Sequence, residues 1–270
     1  MSRSVRIRAH DIRRCHALVS TCRDKGADTW AWQDHLVGEL RRLLRAQVGI
    51  AGNMRNFGKG HEAEALGSVR QGWMSAEAER HWLTYALNVP VEQTPEYPAL
   101  AAATRGALVT RTRNQLWGRE AWYRSRAFNE RHRPCGVDDY IISIQKLPND
   151  GLWHSLWLHR ATGEPEFDRR EWWILRFVHA EIGRLVGGPL ASAAEPQVAD
   201  LTPRHRDALD GVLQGDSEKE LAARLGLSRA TAHEHVLAVY RHFGVETRAE
   251  LMARFIGRGR PPRDGKNGAN

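Results

Sequence analysis

Residues Ser217–Phe243 read SEKELAARLGLSRATAHEHVLAVYRHF, and this stretch decides the fold of the C-terminal part of the chain. Ser217-Glu218-Lys219-Glu220 is a capping box, in which a hydroxyl and a carboxylate three residues apart satisfy two of the amide groups that a helix leaves unpaired at its start. Gly226 permits a tight turn between Leu225 and Leu227, and Ser228 caps the helix that follows. At about 100° per residue, Ala232, Val236, Val239 and Phe243 cluster on one face of that helix and Ala230, Glu234, Leu237, Ala238 and Arg241 on the other. The pattern is a helix-turn-helix. Its second face is free to enter a major groove, and its N-terminal amides and positive dipole can meet a phosphate.

Working outward, Thr202-Pro203 offers an N-cap with proline at the first helical position, and Thr247-Arg248-Ala249-Glu250 is another capping box. Four short helices are therefore expected between Leu201 and Ile256, in a domain spanning 201–257. Beyond Ile256 the sequence GRGRPPRDGKNGAN has nothing apolar to bury, so residues 258–270 are expected to form a disordered tail. Upstream, GGPLASAAEPQVAD (Gly187 to Asp200) combines small residues, two prolines and weak periodicity, which reads as a linker over 189–200.

Residues 1–188 are built differently, for they hold all ten tryptophans and all three cysteines. Helical periodicity covers about 8–25 and 30–47, VGIAGNM (48–54) reads as a strand, and 75–87 and 118–132 read as helices. YIISIQKLPNDGLWHSLWLHR sets two alternating apolar runs around Pro148-Asn149-Asp150-Gly151, a β-hairpin. Asp168 then caps a long helix with Ile174, Val178, Ile182 and Leu185 along one face, ending at Gly187-Gly188. The fold class is an α+β N-terminal sensor-like domain, an antiparallel sheet with flanking helices, followed by an all-α four-helix helix-turn-helix domain.

Composition narrows the function. A chain of 270 residues suits two domains, and the net charge of +8 favours an anionic partner, although it divides as +3 over 201–270 and +5 over 1–200 and so does not locate one. No apolar run is long enough for a membrane helix, and MSRSVRIRAHDIRRCHALVS carries no export signal. Cys15 and Cys22 would stand about 10 Å apart on a helix, too far to bridge, so with Cys135 they fit a reducing cytoplasm. No Gly-rich phosphate loop, nucleophile elbow or paired-carboxylate signature is present, and neither His179-Ala180-Glu181 nor Cys15-His16 with Cys22 has metal-ligand spacing. Neither an enzyme nor a cofactor is expected.

The segment from Leu201 to Leu251 resembles the C-terminal DNA-binding domain of LuxR/GerE-type regulators. Leu201-Thr202-Pro203-Arg204, Lys219-Glu220-Leu221-Ala222, Leu227-Ser228, Thr231, His235, Gly244-Val245 and Arg248-Ala249-Glu250-Leu251 carry the likeness. It implies that His233, Glu234 and Leu237 face base edges and that Lys219, Thr231 and His235 contact the backbone; Ser228, Arg229 and Arg241 complete the candidate DNA-binding set. The chain departs from the family pattern at His205 (usually glutamate), His233 (usually lysine) and Leu237 (often basic). The resemblance also implies double-stranded DNA as partner, a homodimer joined through Thr247–Ile256, and bacterial RNA polymerase; the Trp172-Trp173 helix is the other candidate dimer contact.

The first region more loosely resembles a GAF- or PAS-like sensor fold, which implies a small-molecule ligand of unidentified chemistry and would give the tryptophans a place in a pocket; taken singly, each reads first as core or dimer-interface packing. The acyl-homoserine-lactone pocket pattern of quorum-sensing relatives does not align without forced gaps. A sequence-specific transcriptional regulator under the control of a sensed signal is the leading reading. The alternative is a protein-interaction or assembly module with a constitutive dimerisation domain and no ligand.

Overall fold

The computed structural model describes residues 7–59, 62–89, 93–94, 96–103, 108–148 and 152–255. The chain divides into two units, Met1–Cys22 with Trp30–Gly187, and Arg23–Thr29 with Gly188–Asn270. The elements before the division are α1 (Ala9–Asp24), α2 (Thr29–Leu44), β1 (Val48–Arg55), β2 (Glu64–Gln71), α3 (Ala76–Asn88), α4 (Tyr97–Ala103), β3 (Leu108–Thr112), α5 (Arg113–Leu116), α6 (Arg119–Arg124), β4 (Val137–Lys146), β5 (Leu152–Ala161) and α7 (Arg169–Leu185). The strands form one antiparallel sheet in the order β2-β1-β5-β4-β3.

Strand alternation sorts the sheet into two faces. On one, α2 and α7 lie close: Gln33 on α2 exchanges side-chain hydrogen bonds with Asn53 on β1, and His179 on α7 bonds Ser143 on β4. At Gly183 α7 approaches β4 closely, since a Cβ there would stand 2.0 Å from the Gln145 side chain. The other face carries an aromatic layer in which Trp82, Trp122, His132, Tyr140, Trp157 and His159 pack ring against ring.

Arg160 ties three elements together. From β5 it donates to the carbonyls of Leu44 (2.6 Å) and Arg45 (2.5 Å) at the end of α2, and it pairs with Glu171 (2.7 Å) in the first turn of α7. Glu171 is also the reciprocal half of the capping box with Asp168, the N-cap that the sequence marks. With Arg45 at a φ of +52° and its carbonyl held, α2 stops short of the expected 47.

Other departures from the expected elements have similarly local causes. The helix expected over 118–132 breaks at Ser125, which is extended and whose hydroxyl accepts the Phe128 amide (3.0 Å), so that a separate π-helical turn, Ala127–His132, follows α6. β2, α4 and β3 were not marked by periodicity. β2 and β3 are the two edge strands, and β2 is largely uncovered and rich in polar residues, so no apolar alternation announces it. The strands of the expected hairpin pair as β4 and β5, while Asn149-Asp150-Gly151 in its turn lie outside the described residues.

In the second unit, the segment read as a linker is folded. Leu190, Ala191 and Ser192 are buried; Thr29 donates from Oγ1 to the Ala191 carbonyl (3.0 Å), and the Ala191 amide donates to Gly26 (2.7 Å). Gln197 accepts from the Thr29 amide and donates to the Ser192 carbonyl. Four helices follow: α8 (Pro203–Gln214), α9 (Glu218–Leu225), α10 (Arg229–Phe243) and α11 (Arg248–Phe255). Ile256 and the expected tail, 258–270, lie outside the described residues.

The buried histidines make the first unit sensitive to acid. Burial pushes the imidazoles of His154 and His159 down to about 3, the charge of Arg131 adding to the effect on His159. An unfolded histidine titrates near about 6.5, so below that pH the unfolded chain binds more protons than the folded one, and stability present at neutral pH is lost as pH falls. Each such histidine contributes up to about 1.4 kcal/mol per pH unit. The urea midpoint reported by tryptophan fluorescence should therefore drop between about pH 7.5 and pH 5, and less steeply in His154→Gln; a midpoint flat over that range would contradict the neutral, buried state of these rings.

Candidate nucleic-acid interface

The last four helices are assembled from local signals that the sequence carries and the structure repeats. Thr202 Oγ1 accepts the His205 amide, Ser217 and Glu220 form the full reciprocal box, and Ser228 Oγ accepts the Thr231 amide (3.1 Å). At the fourth start, Thr247 accepts the Glu250 amide, but the Glu250 carboxylate reaches back to the amide of Glu246 rather than Thr247. At the other ends, α8, α9 and α10 each finish on a glycine of positive φ, Gly215, Gly226 and Gly244. After α9, the Gly226 amide returns to Ala223 and the Leu227 amide to Ala222 (2.9 Å), which closes the helix and turns the chain within two residues.

The turn lays α10 across α8 and α9. Ala232, Val236, Val239 and Phe243, the stripe expected from periodicity, are buried with Ala208, Leu209, Val212, Leu221, Ala222 and Leu251. Arg248 in α11 donates to the carbonyls of Val212 and Asp216 (both 2.7 Å), so the last helix also holds the C-terminal end of α8.

Burial of that stripe leaves the opposite face of α10 open. Arg229, Thr231, His233, Glu234, Leu237 and Arg241 are exposed along it or at its edges, Ser228 is exposed at its N-cap, and Lys219 is exposed in the first turn of α9. Leu237 is a large apolar side chain left uncovered. His235 is half-buried, its ring edge-on to His205 at 5.3 Å; burial and then the neighbouring His235 lower the His205 pKa.

Two of the expected residues are brought together by a third that sequence reasoning did not single out. Glu218 Oε1 lies 2.7 Å from Nδ1 of His233, and Oε2 lies 3.7 Å from Nε of Arg229. The bond from His233 holds the Glu218 carboxyl below the usual carboxylate range. In the sequence Glu218 is one of two acids in a capping box; only the helix-turn-helix geometry sets it beside a residue fifteen positions on.

The description of bacterial regulatory proteins of the luxR family, GerE, matches residues 199–255, so the second unit carries a helix-turn-helix domain of that type. The transcriptional regulatory protein MctR of Rhizobium johnstonii is 37% identical over 68 residues, covering 25% of this chain, and the chain spans 30% of that relative's length. Among solved structures, SdiA in complex with octanoyl-rac-glycerol is similar at 12% identity and a TM-score of 0.45, covering 94% of this chain and 97% of that one. CepR2 of Burkholderia cenocepacia, described as an N-acylhomoserine-lactone-dependent LuxR family transcription factor, is similar at 14% identity and a TM-score of 0.40, covering 64% and 92%.

Gly226 tests how far the interface depends on its turn. With φ at +66° and nothing near its missing Cβ, replacement meets backbone strain alone. Gly226→Ala should destabilise the helical unit by about 1–2 kcal/mol, and Gly226→Asn by less, because asparagine tolerates the left-handed region. Chemical denaturation followed by circular dichroism reads both; equal stability of all three proteins would show that the turn is not held as described.

Proposed function

We propose that the protein is a sequence-specific DNA-binding transcriptional regulator, acting in the cytoplasm as a homodimer on double-stranded DNA and controlled by a small molecule sensed in the first unit. The observation that carries the first part is the open face of α10, set by the burial of its opposite stripe within a domain that matches the luxR-family description. Docked in a major groove, α10 turns His233, Glu234 and Leu237 toward base edges, where Leu237 suits a thymine methyl. Lys219, Arg229 and Arg241 stand where they can neutralise phosphates, and Ser228, Thr231 and His235 can donate to them.

Control by a ligand is supported by the aromatic layer of the first unit. Arg131 Nε, His132 Nε2 and both ring nitrogens of His159 are buried without a hydrogen-bond partner among the described residues, and the Arg131 guanidinium lies 4.0 Å from the centre of the Trp82 ring. Each such atom costs about 1–3 kcal/mol when left unpaired, so an occupant able to bond them is favoured. A face for a second copy is supported by Trp173, an exposed large aromatic on α7.

Selection of bound duplexes from a random pool with the full-length protein should return an enriched repeat. On that duplex, affinity should fall steeply as salt rises. Lys219→Ala and Arg229→Ala should each reduce the magnitude of the log Kd against log salt slope by about 0.9, one phosphate contact apiece. Failure to enrich any motif, together with affinity indifferent to salt, would overturn the reading in favour of a protein-interaction module.

A further inference from the structure

The Glu218–His233 pair fixes more than a surface ion pair does. A carboxylate can only accept, so Nδ1 of His233 carries the hydrogen in the 2.7 Å bond, and Nε2 is the ring nitrogen left over. The imidazole is 48% exposed, and no bond to Nε2 exists among the described residues. Glu218 thereby holds the ring by one nitrogen, and the imidazole itself is exposed on α10, beside Glu234 and one turn before Leu237.

We propose that Glu218 is a positioning residue for base readout: it holds His233 so that Nε2–H of the imidazolium donates to N7 or O6 of a guanine, and DNA binding takes up the proton which that donor requires. The inference rests on the DNA-binding reading above and adds to it the atom, the base and the proton. In the complex the ring stands between the Glu218 carboxylate and the polyanion, and both favour its charged form. The opposing cation on its own helix is Arg229, which is itself drawn to Glu218 at 3.7 Å. Glu218 also bears on Tyr240 of α10, and the other charged groups of α9 are Lys219, Glu220 and Arg224. None of these is bonded to the imidazole. The proton comes from solvent and returns to it on release.

The test measures binding of the full-length protein to its selected duplex by fluorescence anisotropy at fixed salt, from about pH 8 to about pH 6. The wild type should tighten as pH falls, by up to about tenfold per pH unit for one proton taken up. His233→Gln keeps a polar head of similar reach but cannot charge, so its affinity should change less over the same range. His205, His235 and His242 are common to both proteins, and the difference between them belongs to His233. Glu218→Gln keeps an acceptor for Nδ1 without its charge and should displace the rise in affinity to lower pH; Glu218→Ala, which removes both, should also relax the base preference at the contacted position. Replacing the contacted guanine by 7-deazaguanine should weaken the wild type at the acid end and leave His233→Gln unaffected. Parallel pH profiles for the wild type and His233→Gln, or a wild type that tightens as pH rises, would overturn the proposal while leaving sequence-specific binding intact. Loss of all sequence-specific binding in the wild type would instead overturn the DNA-binding reading on which it rests.

Discussion

The face that α10 turns outward is decided by what it turns inward. Ala232 and Val239 are fully buried and Val236 and Phe243 nearly so, packed against residues from α8, α9 and α11. Burying a valine or phenylalanine side chain is worth about 1.5–3 kcal/mol, whereas an exposed ion pair is worth about 0–1 kcal/mol. The rotation of α10 about its own axis is thus a property of the core. The bond from Glu218 to His233, between two partly exposed side chains, belongs to the weaker scale and is too weak to turn a helix already set by its core. Separation of these scales lets the exposed residues vary, as His233 and Leu237 do from the usual luxR-type pattern, without disturbing the element that carries them.

How much of this was legible in sequence follows from where each signal resides. The helices of the second unit are marked by groups that act over three or four residues: the caps at Thr202, Ser217 and Ser228 and the glycine turn at Gly226. Such signals survive in a linear reading. The role of Glu218 does not, because its partner is brought to it by the turn at Gly226. In the first unit, β1, β4, β5 and α7 were readable from apolar alternation or helical periodicity, while the edge strands β2 and β3 were not. An edge strand has one neighbour and much solvent, so its pattern is weaker by construction. The break at Ser125 was hidden for another reason: a serine hydroxyl can serve a helix surface or cap a new turn, and the packing around Trp122 and Phe128 decides between them.

The two units are stabilised by different means. The first buries charge: Arg160 with Glu171, and Arg113 with Asp139 at 2.9 Å. Burial raises the Asp139 carboxyl despite its arginine partner, a sign that desolvation outweighs the pairing at that site. Such pairs give little net stability, yet removing one partner costs about 3–5 kcal/mol because the other is left buried and alone. They therefore act as fasteners of geometry: Arg160 can satisfy the end of α2 and the start of α7 only when both stand where they do. In the second unit, by contrast, the ion pairs among the described residues are at least partly exposed, and its core is apolar.

That contrast bears on where a signal would act. An apolar core with capped helices has little to gain from an occupant. A layer in which nitrogens of Arg131, His132 and His159 have no partner among the described residues would gain from one, because a ligand that bonded them would bind the folded state in preference to the unfolded one and stabilise it by RT ln(1 + [L]/Kd). His132 narrows the chemistry of such an occupant. Its Nδ1 lies 2.9 Å from the Ala127 carbonyl and so carries the hydrogen, leaving Nε2 as an acceptor, whereas Arg131 Nε is a donor. A purely anionic group would serve the arginine and leave His132 unmet; a neutral group carrying both a donor and an acceptor, such as an amide or a hydroxyl beside a carbonyl, would meet both. The aromatic rings around these atoms then favour a flat or apolar remainder, which Trp82, Trp122 and Trp157 can cover.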